Sequence, residues 1–320
     1  MPTPVNRFPS FVRQIVERLK AAFPALGTLR IANMLARAGL HVARSTVRRF
    51  LEAHAHPPSP AAPHPANAAH GLLPAPAAVG SGSSRSPRII SRGPNHTWLV
   101  DLTIVPTAAG FWVPWLPNAL LQRWPFCWWV AVVIDHFSRK AVGHATFKKQ
   151  PTGKELCAFL GRVVRNVGRP PKYIITDQGA QFATAYRAWC ASRGIRPRFG
   201  ALGRHGSIAL VERFIRSLKD EGLRRVLVPF RLSMMQVEVA SFVDWYNTSR
   251  PHMALGGATP TEVYRGRRPA NTGPRFETRA RYPARGRGKL RAPQGTPLRL
   301  CIGYHEGRRH LPVVRLRKAA

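Results

Sequence analysis

The sequence predicts a multidomain α/β protein: a mixed sheet flanked by helices, preceded by an all-α segment and followed by a small basic β module. Three observations carry this reading. Apolar residues recur at helical spacing through residues 10–55. Strand-like apolar runs then alternate with helical patterns from about residue 97 to 268. Between these regions lies a stretch rich in Pro, Ala, His, Ser and Gly that contains few large apolar residues.

The first segment, 1–55, reads as three short helices. Ser10-Phe11-Val12-Arg13-Gln14-Ile15-Val16 opens one, which Phe23-Pro24 stops. A second runs from about Leu29 to Ala38, with Ile31, Met34 and Leu35 on one face and Gly39 as its C-cap. Ser45 or Thr46 is expected to N-cap a third, which carries Arg48 and Arg49 with Arg44 just ahead of it. A helix, a short Gly-containing turn and a basic helix form the pattern of a DNA-binding helix-turn-helix. Arg44, Thr46, Arg48 and Arg49 are its candidate DNA contacts. Residues 56–96 read as a linker.

In the central region, 97–268, Trp98–Val105, Cys127–Asp135 and Lys140–Phe147 read as strands, the last two as a hairpin. A helix follows over Thr152–Val167, then a short buried strand, Tyr173–Thr176, ending at Asp177. A helix near Ala183–Arg193 and a strand near Arg196–Phe199 complete the sheet. Helices are expected over 207–225 and 232–247. Residues 269–320 form the basic tail; from 265 to 320 there are 16 Lys/Arg and only two acids, Glu277 and Glu306. Leu298–Tyr304 and His310–Arg317 read as its two strands.

Charge narrows the function. Lys plus Arg is 50 against 14 Asp plus Glu, a net charge of +36 in 320 residues. Such a chain calls for a polyanionic partner, and nucleic acid is the commonest. No run approaches the roughly 18 apolar residues a membrane helix needs, and the N-terminus has no signal-peptide core. The expectation is therefore a cytoplasmic, nucleoid-associated protein with DNA as partner and no membrane. Four dispersed cysteines fit neither a disulfide framework nor a zinc site.

Three of the scarce acids stand in unusual places. Asp101 interrupts an apolar strand. Asp177 sits where a buried strand meets a Gly-containing turn. Glu212 lies on a helix whose apolar face is Val211, Phe214, Ile215 and Leu218, with Arg216 and Lys219 following it on a polar face. Three carboxylates suit two-metal phosphoryl transfer, since Mg²⁺ or Mn²⁺ takes oxygen ligands and two ions serve the attacking and leaving oxygens. Taken singly, each acid has a plain structural reading as a buried hydrogen-bonded acid, a turn former or a solvated helix face.

The motifs Trp98-x-x-Asp101-x-Thr103, Ile134-Asp135-x-Phe137-Ser138-Arg139, Thr176-Asp177-x-Gly179-x-x-Phe182 and Gly206-x5-Glu212-Arg213-Phe214 with Lys219 resemble the catalytic core of retroviral integrases and bacterial insertion-sequence transposases. Trp245-Tyr246-Asn247-x-x-Arg250-Pro251-His252-x-x-Leu255-x-x-x-Thr259-Pro260 is similar to the end of that core in the bacterial enzymes. The resemblance spans about half the chain. It implies a ribonuclease-H-like integrase core with a mixed five-stranded sheet. It also implies a catalytic and metal-binding triad of Asp101, Asp177 and Glu212, two Mg²⁺ or Mn²⁺ ions, and Arg216 and Lys219 on DNA. The implied function is a DDE-type transposase that cleaves element ends and transfers them into target DNA, as a homo-oligomer on DNA.

One spacing departs from the pattern: 34 residues rather than the usual 35 separate Asp177 from Glu212. That departure supports the alternative of a catalytically inactive, transposase-derived DNA-binding protein. Glu221 lacks the motif context of Glu212, and Asp135 matches a family position outside the triad, so it reads as structural. Asn247, Arg250 and His252 read equally as an active-site edge or as capping and packing.

Overall fold

The computed structural model describes residues 8, 10–55, 90–108, 122–200, 208–272 and 298–318. Helices α1 (Ser10–Ala22), α2 (Thr28–Arg37) and α3 (Arg44–Ala55) form the N-terminal unit. Their apolar stripes meet in a core of Val12, Ile15, Val16, Leu19, Ile31, Met34, Leu35, Val42 and Val47. Gly39 ends α2 as expected, one position past the cap residue Ala38: at φ +99° it lets its own N–H reach Ala36 O and that of Leu40 reach Leu35 O. The start of α3 differs from expectation. Val47 N–H donates to Ala43 O, so the helix opens at Arg44, and Ser45 and Thr46 lie within its first turn.

The central sheet is built from β1 (Thr97–Pro106), β2 (Cys127–Asp135), β3 (Ala141–Phe147), β4 (Tyr173–Thr176) and β5 (Arg196–Phe199), ordered β3-β2-β1-β4-β5. β1, β2 and β3 pair antiparallel, whereas β4 and β5 run parallel to β1. This is the mixed, ribonuclease-H-like arrangement the resemblance implied. Its two faces carry separate cores, which explains why every residue of β2 is buried. On one face Trp98, Val100, Ala131 and Val133 meet α4 (Gly153–Val167) and α5 (Thr184–Ala191). On the other, Leu99, Val105, Val130 and Val132 meet α6 (Ala209–Ser217) and α7 (Leu232–Thr248).

The motif residues outside the triad are largely structural. Asp135 is fully buried and accepts from Asn95 N, Ser138 N and Ser138 Oγ at 2.6–2.8 Å. It thereby ties the chain entering β1 to the β2–β3 turn. Asn247 brackets the backbone of Ala141, accepting from its N–H and donating to its carbonyl, both at 2.9 Å. His252 is buried edge-on against Tyr246. Trp98 and Trp128 are fully buried, each with its indole N–H satisfied.

The single helix expected over 207–225 is instead α6, a π-helical turn over Leu218–Gly222 and a 3₁₀ turn over Leu223–Arg225. Tertiary packing imposes this path. Leu218, Gly222 and Leu223 are buried. A Cβ at Gly222 would stand 2.7 Å from Cδ2 of the buried Phe242 ring.

The hairpin β6 (Leu298–His305) and β7 (Arg308–Lys318) forms the small C-terminal sheet. Its apolar residues divide between two cores. Leu300, Ile302 and Val314 pack on the N-terminal helices, whereas Leu311 and Val313 join the central core. Trp245 donates to Pro312 O at 3.0 Å, and Arg308 holds Glu238 through two 3.0 Å bonds. Ion pairs also join the N-terminal unit to the centre. Arg37 grips Glu262 of the short helix α8 (Pro260–Tyr264) at 2.7 and 3.0 Å. Glu221 takes two bonds from Arg250 and a third contact from Arg30 of α2 at 3.1 Å. Glu221 is therefore committed to structure.

Two outcomes follow. Gly222→Ala should cost about 1–3 kcal/mol, because the buried Phe242 ring has no free space to retreat into; thermal or denaturant unfolding measures it. Acid should loosen the helical unit. Burial pushes Glu221 and Glu262 up, but Arg250 with Arg30, and Arg37 respectively, more than offset it, leaving both below the ordinary 4.5. Their stabilisation is complete above about pH 4.5 and disappears as pH falls through the depressed folded values. Hydrogen-exchange protection factors in α2, corrected for the intrinsic slowing of exchange in acid, should fall over that acidic window, and unchanged protection down to full protonation would contradict this account.

Candidate active site

The register of β1 sets the position of the first acid. Leu99 and Val105 face the core under α6 and α7, whereas Trp98 and Val100 face the opposite core. Strand alternation therefore turns Asp101 and Thr103 toward α6. β1 pairs with β4 only as far as Leu99↔Ile175. Carried two residues on, that register sets Asp177, just past the carboxyl end of β4, level with Asp101 in the middle of β1. Asp177 closes a tight turn by accepting from Gly179 N–H at 3.2 Å.

Glu212 enters from above. α6 buries Val211 and Phe214 against the sheet, which leaves Glu212 and Arg216 exposed and Lys219 half-buried. Asp101, Thr103, Glu212, Arg216, Lys219, Asp220 and Arg224 line one open groove of about 390 Å³. Sequence reasoning missed Asp220 and Arg224 in this groove, because the π turn that presents them has no sequence signature.

Burial, with a smaller contribution from the charges of Asp177 and Glu212, raises the Asp101 carboxyl to about 6. The Leu102 N–H, which donates to Asp101 Oδ1 at 2.7 Å, and Lys219 pull it the other way. The three acids thus share one electrostatic environment. They also differ from their fellows. Glu17, Glu52, Asp220, Glu221, Glu238, Asp244, Glu262 and Glu306 each have a cationic or histidine partner within 4.0 Å. Asp135 and Glu155 are held by hydrogen bonds. Among the described residues Asp101, Asp177 and Glu212 have no ion-pair partner within 4.0 Å, although the chain carries a large surplus of cations. Asp101 and Asp177 each accept one backbone N–H, from Leu102 and Gly179.

In donor chemistry the three suit a hard divalent cation: oxygen ligands, net negative charge and open access. Their placement is looser than a formed metal centre. Among the described residues no three His, Cys, Asp or Glu side chains stand close enough together to hold one ion.

The predicted DNA-contact residues of the helical unit occupy a different surface. Arg44, Arg48 and Arg49 are exposed, and Thr46 is half-buried. Ser45, Thr46, Arg48, Arg49 and Glu52 line a shallow depression. Arg44 donates to Thr28 Oγ1 at 3.3 Å, and Arg48 stands 3.6 Å from Glu52. No helix among the described residues is long and apolar enough to cross a membrane.

Comparison with known proteins agrees with this architecture. Two family models, both described as integrase core domain, match residues 91–205 and 193–260, together just over half of the chain. The chain is 27% identical over 171 residues to a transposase for insertion sequence element IS904 from Lactococcus lactis, covering 53% of this chain and 61% of that protein. It thus spans less than two thirds of that relative's length. It is 28% identical over 272 residues to a protein of insertion sequence element IS986/IS6110 from Mycobacterium tuberculosis, covering 81% of this chain and 91% of that protein. Among solved structures, the HTLV-2 integrase catalytic core domain in complex with magnesium aligns at 19% identity. Its TM-score is 0.40, over 54% of this chain and 97% of that one. With a mixed five-stranded core at residues 97–199, two contiguous integrase-core matches and insertion-sequence relatives, the chain belongs to the bacterial insertion-sequence transposases with an integrase-type core.

Proposed function

We propose that the chain is a DDE-type polynucleotidyl transferase that cuts the ends of a DNA element and joins them to target DNA. One observation carries this reading: in a protein with a net charge of +36, Asp101, Asp177 and Glu212 have no ion-pair partner among the described residues. For Asp101, which is largely removed from water, an uncompensated charge is costly, and cations from solution would offset it. Asp101, Asp177 and Glu212 would hold two Mg²⁺ or Mn²⁺ ions. Such ions, when bound, supply a nucleophilic oxygen and neutralise charge on the phosphate and leaving oxygen.

The remaining work falls to the chain itself. Arg216 and Lys219, one and two turns beyond Glu212, would clamp the phosphates flanking the scissile bond and hold the strand in line. Thr103, on the same face of β1 as Asp101, can donate its hydroxyl to the same backbone. Arg44, Thr46, Arg48 and Arg49 of α3 would bind element-end DNA, with the boundaries 1–55, 56–96, 97–268 and 269–320 separating recognition, linker, catalysis and basic tail. Two ends joined in concert require a homo-oligomer on DNA. The reaction belongs in the bacterial cytoplasm, where the DNA lies.

Supercoiled or linear DNA carrying the flanking inverted repeats should be nicked and joined only with Mg²⁺ or Mn²⁺. Asp177→Asn and Glu212→Gln should each lower both steps by on the order of 100-fold or more while melting like the wild type. Intact cleavage by a folded Asp177→Asn protein would sink the triad assignment. The looser spacing of the acids favours a second reading, a catalytically inactive DNA-binding relative. Mn²⁺ separates the two. An ion that binds the folded state at about 100 times its Kd should stabilise the wild type by roughly 2.7 kcal/mol. Asp101→Asn should largely remove that gain, whereas the inactive relative shows none to remove.

A further inference from the structure

We propose that Arg224 is a DNA-phosphate ligand of the catalytic groove, and that Asp220 occupies its guanidinium until a phosphate replaces the carboxylate. The inference rests on the reading of the groove as a DNA site and adds a residue and an exchange to it. On an uninterrupted α-helix Arg224 would lie about 120° around the axis from Glu212. The chain here is not an uninterrupted α-helix: a π turn over Leu218–Gly222 and a 3₁₀ turn over Leu223–Arg225 redirect it. The side chain accordingly lines the same groove as Asp101, Glu212, Arg216 and Lys219.

The backbone carrying Arg224 is firmly placed. Leu218, Gly222 and Leu223 are buried around it, and Gly222 packs directly on Phe242. Glu221 is fixed on the other side by Arg250 and Arg30. The arginine head is free by contrast. Its side chain is 71% exposed, and Nη1 meets Asp220 Oδ1 at 2.7 Å. An exposed pair of this kind contributes at most about 1 kcal/mol. A DNA phosphodiester offers the same planar fork two oxygens at the same single charge, and its binding is favoured further by release of condensed counterions. Asp220 therefore acts as an internal substitute for the phosphate: it holds Arg224 in a fixed orientation, limits repulsion with Lys219, and yields to DNA.

The test is fluorescence anisotropy of a labelled DNA duplex with the full-length protein over a KCl series, read as Kd and its salt slope. Arg224→Ala should weaken binding severalfold and flatten the slope by about one contact. Arg224→Lys should restore the slope but only part of the affinity. Asp220→Asn should tighten binding, and most of that gain should vanish in the Asp220→Asn/Arg224→Ala double variant. Both positions are substantially exposed, and equal melting temperatures verify folding. A Kd and slope unchanged in Arg224→Ala, or an Asp220→Asn gain that persists without Arg224, would overturn the proposal while leaving the triad in place. Wild-type protein that shows no salt-dependent DNA binding would overturn the proposed function, and this inference with it.

Discussion

A carboxylate in the middle of a mostly buried strand, with no ion-pair partner among the described residues, is the constraint around which the central domain is arranged. Asp101 occupies a position where β1 would ordinarily carry an apolar residue facing α6. Water is largely removed from it, and two further acids add repulsion, which is why its protonation rises toward neutrality. The remainder of the domain tolerates this because the surrounding positions are well packed. β2 is buried on both faces, and Trp98 and Val100 anchor β1 from the opposite side. The sheet supplies rigidity on one side of the groove and helix α6 brings Glu212 to its wall, whereas Asp177, after β4, acts on Asp101 through its charge and does not line the groove.

Elsewhere the chain uses acids in the opposite manner. Glu221 and Glu262 are partly buried but enclosed by guanidinium groups, so their charge binds the N-terminal helices to the centre. The C-terminal hairpin completes that union. An isolated two-stranded ribbon is marginal in water, and this one is held because its apolar residues enter two neighbouring cores at once. Helix α3, the acid-lined groove and the basic hairpin are thereby joined through shared cores and ion pairs.

The segment after α6 shows how packing redirects chemistry. Gly222 allows close approach to Phe242, and the wider turn this accompanies rotates the polar face that follows. Asp220 and Arg224, in the turns that follow α6, stand in the groove wall.

Local chemistry wrote much of this into the sequence. Alternation and apolar runs placed the strands to within a residue or two, because sheet burial leaves a pattern of period two. The Phe23-Pro24 stop and Gly39 marked the ends of α1 and α2, because each acts through its own backbone. The three candidate acids were legible for a related reason: a charge within an apolar strand, at a strand end, or ahead of cations on a helix face is conspicuous against its neighbours. Three matters belonged to the tertiary structure alone. Whether Asn247, Arg250 and His252 packed or lined the site depended on Ala141, Glu221 and Tyr246, all distant or separately placed partners. The division of the hairpin between two cores required both cores to exist. The π turn depended on Phe242, whose ring sets the space at Gly222. Periodicity reports how a residue relates to its near neighbours, whereas contacts across the fold decide which side chains share a groove and which acids are left without a partner.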